Sequence, residues 1–349
     1  MHSSFVFALL ASSVCSVLAG PVGERIPITK RAGPIKVNSY IIKLKDGVSK
    51  PAHLASLKEG SKVAYTYDRA FQGYSAQLEG KALEYIRQSK DVEYIVQDEQ
   101  VKLPEISTAD VQVSPRNSGS KDSSLLKRAN GAGVDVYQID TGIYTAHTQF
   151  GGRAKWGATF GGYPNADGNG HGTGFGDDGS ANLSDIIQGI NWVITNAPPT
   201  GRPSIISLTV TISGYQPFDT AVTNALNAGI HVAVAAGDQN VDASTISPAR
   251  VVAAVTVGAV ATNGNKLPTS NFGSVVDVWG PGKNVPVAWI SSPTAAVNLV
   301  GTTSSAASNV AGILAVAIDN HGNKSPAALQ ADLKSNAQTV NGFLIPKVW

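Results

Sequence analysis

The spacing of apolar residues changes once along the chain. Between residues 38 and 104, apolar and polar positions alternate over short stretches broken by glycine. "YIIKLKDG" from Tyr40 predicts a strand ending in an Asp-Gly turn, and "HLASLKEG" a short helix closed by Gly60. "KVAYTYDRAFQGYSAQL" predicts strands around Gly73, "KALEYIRQSK" a helix with apolar Leu83 and Ile86, and "VEYIVQDEQVKL" a last strand. The order strand, helix, strand, strand, helix, strand makes a small α+β module. Residues 105–130 are rich in Ser, Lys, Asn and Asp without periodicity, which predicts a linker.

Beyond Gly131 the apolar runs become nearly continuous. "GVDVYQI", "SIISLTV", "IHVAVAA", "VVAAVTV" and "VVDVW" suit parallel strands buried on both faces. Between them, "SDIIQGINWVITNA" places Ile186, Ile187, Ile190, Val193 and Ile194 at helical spacing behind a Ser184 cap. "PFDTAVTNALNAG" gathers Phe218, Ala221, Val222, Ala225 and Leu226 on one face and stops at Gly229. Alternating strands and helices predict an α/β domain with a doubly wound, mostly parallel sheet over 131–349. Ligands of such sheets bind outside the carboxyl ends of the strands, where Asp140 and Asp238 stand.

Composition adds the setting. The first twenty residues have a short apolar core from Phe5 to Leu18 and small residues at Val17 and Ala19, which predicts a signal peptide over 1–19 and a secreted, extracellular protein. No later run reaches the roughly eighteen apolar residues that a membrane helix needs. The single cysteine, Cys15, lies inside that segment, so the processed chain is expected to use no thiol or disulfide chemistry. With 27 Lys and Arg against 25 Asp and Glu, no net field selects nucleic acid or an anionic membrane. Lys30-Arg31, in a short pro-region over 20–37, and Lys127-Arg128 in the linker read as processing sites. Asn182 ("NLS") and Asn323 ("NKS") are glycosylation acceptors if exposed.

Motif order now becomes specific. "GVDVYQIDTGI", "DGNGHGTG", "HVAVAAGD", "TSNFGSVVDVWGPG" and "GTTSSAASNVAG" resemble, in sequence, the subtilase family of serine proteases, most closely its secreted fungal proteinase K-like branch. "NSYIIKLKDG", "AFQGYSAQL" and "VEYIVQDEQV" resemble the inhibitor-type propeptide of that family, here over 38–104. The resemblance implies a subtilisin-like fold, protein or peptide substrates, and the chain's own propeptide as intramolecular inhibitor. Asp140 falls on the triad aspartate and His171 on the triad histidine. A serine needs such an imidazole to take its proton, and a carboxylate to hold the imidazole in the right tautomer. For the nucleophile, anchoring on Val310-Ala311-Gly312 selects Ser304, whereas anchoring on Gly301-Thr302 selects Thr303. Ser304 is preferred, because the helix from Ser305 to Ile318 then overlays without a gap. The alternative reading of Ser304 is a helix cap in a Ser/Ala/Thr-rich stretch.

The same resemblance marks departures. Asp238 stands where the family has an asparagine that donates to the tetrahedral oxyanion, and an ionised carboxylate has no proton to donate. β-Branched Val210 and Thr211 replace cleft-lining glycines. After His171, "HGTG" runs into "FGDDGSANLSD", so the helix that begins at the family histidine and two strands are missing, which leads one to expect a gap in the middle of the sheet or neighbours closing over it. No cofactor is required. A structural calcium ion is a candidate, held by Asp277 with the backbone carbonyls of Val252 and Ala254. Three functions follow: a secreted serine endopeptidase made as a self-inhibited precursor; a catalytically impaired homologue or product of a truncated gene model; or a propeptide module acting as an inhibitor of other subtilases.

Overall fold

The computed structural model describes residues 25–102, 112–113, 131–165 and 179–349. The expected signal segment with Cys15, most of the linker with Lys127-Arg128, and His171 lie outside the described residues.

The amino-terminal module forms as its pattern predicts. It runs β1 (Ile35–Leu44), α1 (Lys50–Ala55), β2 (Ser61–Tyr67), β3 (Gly73–Leu78), α2 (Gly80–Arg87) and β4 (Val92–Lys102). The sheet order is β4, β1, β3, β2, all antiparallel, and the two-residue strand Ile28–Thr29 adds a parallel edge to β4. Neighbouring residues of a strand face opposite sides, and both sides are buried here. Tyr40, Ile42, Leu44, Tyr74, Leu78 and Ile95 pack beneath the helices with Ile86, while Ile41, Tyr67, Phe71 and Val96 join the core of the larger domain.

The larger domain is doubly wound. Strands β5 (Asp135–Ile139), β7 (Ser204–Leu208), β8 (His231–Ala235), β9 (Val255–Val260) and β10 (Val278–Pro281) are parallel, in the order β10, β9, β8, β7, β5. β6 (Ser180–Asn182) stands apart from this sheet and is described below. Ile206, Leu208, Val232 and Val234 face helices α3 (Leu183–Asn196) and α4 (Gln216–Asn227). Ile205, Ala233, Ala235, Val257 and Ala259 face the other way, onto α5 (Thr303–His321). A further helix, α6 (Pro326–Asn336), follows.

Of the two outcomes expected of the shortening, an open central gap is absent among the described residues: β5 pairs directly with β7 and forms the edge of a continuous five-stranded sheet. The shortening therefore falls outside β5. Helix α3 is capped by Asn182 in a capping box with Asp185, two residues ahead of the Ser184 expected. A hairpin of β11 (Lys283–Ala288) and β12 (Ala296–Val300), paired to Gln112–Val113, was not visible in the apolar pattern.

The module docks on α3 and α4 through polar groups set in an apolar surface. Asn191 of α3 accepts from the backbone N–H groups of Asp68, Arg69 and Ala70 at 3.1, 2.9 and 3.0 Å, and Asn224 of α4 donates to the Ala70 carbonyl at 2.7 Å. Asp98, fully buried, accepts from Ser184 N–H (3.0 Å), Ser184 Oγ (2.7 Å) and Ser39 Oγ (2.9 Å) at the start of α3. A carboxylate suits a helix amino terminus, where free N–H groups and the dipole both favour negative charge. Burial nevertheless pushes the Asp98 carboxyl up from its ordinary range, against the hydrogen bonds from Ser184 and Ser39. Asp98→Ala leaves these donors without an acceptor, at a cost of about 1–3 kcal/mol. Proteolysis of the module in the folded full-length chain, which follows the undocked population, is expected to speed up about tenfold or more; an unchanged rate would exclude Asp98 from docking.

Candidate active site

The carboxyl ends of β5, β7 and β8 meet the start of α5, and the polar residues expected there converge. Asp140 follows β5 and is 1% exposed. Its Oδ2 accepts from Thr209 Oγ1 at 2.7 Å and Gln138 Nε2 at 3.0 Å, and its Oδ1 from Thr141 N–H at 2.8 Å. Thr209, the first residue after β7, also offers its backbone carbonyl to Ser304 Oγ at 3.4 Å. One threonine thus touches both the carboxylate and the preferred nucleophile. Sequence reasoning missed it, weighing Val210 and Thr211 instead; Val210 is buried in the core and Thr211 half-buried.

Helix α5 begins at Thr303, two residues earlier than the Ser305 that the serine alignment assumes. Thr302 is its N-cap, accepting from Ser305 N–H at 3.2 Å, and Thr303 is the first helical residue. Thr303, fully buried, faces Asp238: its N–H donates to Asp238 Oδ1 at 2.9 Å and its hydroxyl to Oδ2 at 3.1 Å. The Thr303 hydroxyl in turn accepts from Gly237 N–H at 3.1 Å. The loop that presents Asp238 is fixed by Asn271, which accepts from Gln239 N–H and Val241 N–H, both at 3.0 Å, and donates to the Ala236 carbonyl at 2.8 Å. Gly237 has φ +99° and an added Cβ would run into Asn271, so the turn requires glycine. Burial pushes the Asp238 carboxyl up, and the hydrogen bonds from Thr303 pull it back. The Asp238 carboxyl therefore takes up the first N–H of α5, that of Thr303.

The module also pairs with the strand that leads into α3. The end of β4 pairs antiparallel with β6, with Gln100, Val101 and Lys102 opposite Asn182, Ala181 and Ser180. His171 lies outside the described residues, so its distance to Asp140 does not enter the geometry. Asn182 is half-buried, pairs with Gln100 of β4, and its amide donates to Asp185 at 2.8 Å. Asn323 is exposed, and its Oδ1 is bonded to buried His231 at 2.8 Å.

The donors expected for calcium are used otherwise. Gln330 Nε2 donates to the carbonyls of Val252 (3.0 Å) and Ala254 (2.8 Å) and to Asp277 Oδ2 (3.0 Å), and Lys334 Nζ to Asp277 Oδ1 (2.9 Å). Three oxygens closed around an amide nitrogen, with an ammonium beside them, do not fit a calcium ion, which takes six to eight oxygens.

A buried carboxylate and helix-borne hydroxyls at the carboxyl edge of a parallel sheet, with an α+β module seated across the adjoining helices, define the class: a doubly wound α/β domain carrying a docked α+β module. Residues 142–346 match the Subtilase family and residues 39–104 match Peptidase inhibitor I9. The chain is 33% identical over 377 residues to Subtilisin-like protease 2 of Pseudogymnoascus destructans, covering 95% of this chain and 93% of that protein. It is 31% identical over 375 residues to the cuticle-degrading protease of Metarhizium anisopliae, covering 97% and 95%. Its structure is similar to that of a cold adapted subtilisin-like serine proteinase, with a TM-score of 0.53 and 28% identity over 62% of this chain and 88% of that one. The chain belongs to the subtilase family.

Proposed function

We propose that this subtilase is a secreted endopeptidase made as a self-inhibited precursor, with Ser304 as the attacking hydroxyl, His171 as base and then acid, and Asp140 as the group that orients His171. The observation that supports it is the meeting of Asp140 and Ser304 at Thr209; the pairing of the inhibitor module's last strand with β6 supports the self-inhibited precursor. Residues 1–19 direct export, and cleavage within 105–130 releases the module. Among the described residues no helix is long and apolar enough to cross a membrane.

A second reading, catalytic impairment, has its own support. Asp238 presents acceptors where a developing oxyanion needs donors, and it ties up the Thr303 N–H. Removing an oxyanion donor costs about a hundredfold to a thousandfold in turnover. Labelling of the purified protein with a fluorophosphonate, beside Ser304→Ala and Thr303→Ala variants, tests both readings. Labelling lost in Ser304→Ala supports the assignment; labelling lost only in Thr303→Ala moves the nucleophile by one residue. Absence of labelling in the unmodified chain leaves the impaired homologue.

A further inference from the structure

We infer that the cradle formed by Val252, Ala254 and Asp277 is closed by Gln330 and Lys334 acting together as a built-in cation, so that α6 is fastened to the sheet without a divalent metal. The Val252 and Ala254 carbonyls precede β9, Asp277 precedes β10, and Gln330 and Lys334 lie four residues apart on one face of α6. The Gln330 side chain meets three oxygens at 2.8–3.0 Å, the ordinary length of an N–H···O hydrogen bond. That environment orients the amide, because its oxygen in the same place would face three other acceptors. Gln330 is 9% exposed and Ala254 is fully buried, so the Ala254 carbonyl depends on the amide for a donor, whereas Val252 lies at the exposed rim of the cradle. Lys334 supplies the formal charge: its ammonium bonds Asp277 Oδ1, while Asp277 Oδ2 also accepts from Thr256 N–H at 2.9 Å.

A calcium ion at the same point has three obstacles. It needs oxygens at about 2.3–2.6 Å around a centre that the Gln330 amide now fills, it needs waters there beside the cradle's own oxygens to reach six to eight, and it would stand beside a lysine already neutralising the one carboxylate. Gln330 and Lys334 thus do from one helix what an ion does from solution: they hold two strand-leading turns and a carboxylate to a common centre. The consequence is a fold whose carboxyl-terminal helix stays attached when divalent cations are scarce.

Thermal unfolding of the full chain in millimolar calcium and in excess chelator tests the inference. In the unmodified protein the midpoint is expected to be the same in both; a calcium-dependent rise that persists in Asp277→Asn arises elsewhere and is equally consistent. Gln330→Ala with Lys334→Met leaves the three oxygens facing a vacant space free of competing charge. Its midpoint should drop by several degrees in chelator and recover on adding calcium. A calcium-dependent rise in the unmodified chain that Asp277→Asn abolishes would overturn the inference, and so would failure of calcium to rescue a folded double variant. Should the double variant not fold, calorimetric titration of calcium into the unmodified chain and into Asp277→Asn decides: binding lost in the latter overturns it, and identical isotherms support it.

Discussion

Replacing Asp238 by asparagine is expected to raise the rate of fluorophosphonate labelling about a hundredfold. The carboxylate accepts from Thr303 N–H and from the Thr303 hydroxyl, so both groups are turned away from any incoming oxyanion. Asparagine keeps the shape and can still accept through its carbonyl, while its NH2 supplies a donor that carries no charge. The second-order labelling constant of Asp238→Asn against the unmodified chain measures the gain, and an equal or lower constant would show that Asp238 is not what limits reactivity. The same variant carries a pH signature. The Asp238 carboxyl is raised in the folded state by burial, so the folded protein holds a proton that the unfolded chain has already released. Stability from this group is present below the unfolded carboxylate value and is lost as pH rises through the higher folded value. Asparagine does not titrate, so the stability profile of Asp238→Asn should flatten just above the ordinary carboxylate range.

Arg31→Ala is expected to undock the inhibitor module by two to three powers of ten. The Arg31 guanidinium pairs with Glu99, donates to the carbonyls of Ser213 (2.6 Å) and Gly214 (2.8 Å), and lies 5.0 Å from the ring centroid of Tyr215, the residue before α4. Its backbone N–H reaches Gln97 Oε1 at 2.8 Å, and Tyr215 OH donates to the Gln97 carbonyl at 2.8 Å. The side chains of Arg31 and Glu99 are 13% and 8% exposed, so removing the arginine leaves Glu99 charged and sheltered from water. Breaking such a pair from one side costs about 3–5 kcal/mol, against the smaller figure for Asp98, whose partners are neutral. Hydrogen exchange along β4 in the full chain measures undocking. Arg31→Ala/Glu99→Gln should recover much of the loss, because no charge is then stranded. Equal exchange in Arg31→Ala and the unmodified chain would exclude the clasp.

The parts of this molecule that were legible in its sequence are those whose signal is local. Continuous apolar runs gave away β7 and β8, buried on both faces, and the alternating order of the amino-terminal module was readable strand by strand. Boundaries slipped where a run began in a turn: "VVAAVTV" starts at Val251, but the strand starts at Val255, because Val252 and Ala254 turn their carbonyls to Gln330. The start of α5 was ambiguous because four hydroxyl residues in a row, Thr302 to Ser305, all tolerate a capping position, and only the contact with Asp238 separates Thr303 from Ser304. The roles of Gln330, Lys334 and Thr209 were invisible. Each depends on partners more than fifty residues away, and each looks in sequence like an ordinary polar residue on a helix or strand end.

The clasp at Arg31 also bears on the timing of maturation. A processing peptidase that recognises paired basic residues needs an extended backbone and both side chains within its own cleft. Once the module docks, Lys30 remains exposed but Arg31 is spent on Glu99 and the two carbonyls, and Ile28–Thr29 is held against Ile95–Val96. The Lys30-Arg31 bond is therefore open to such an enzyme on the nascent or loosened chain and closed on the docked one. Trimming at this pair would belong to the interval before folding finishes, and a chain that escapes it then would keep its amino-terminal strap until the module itself is released.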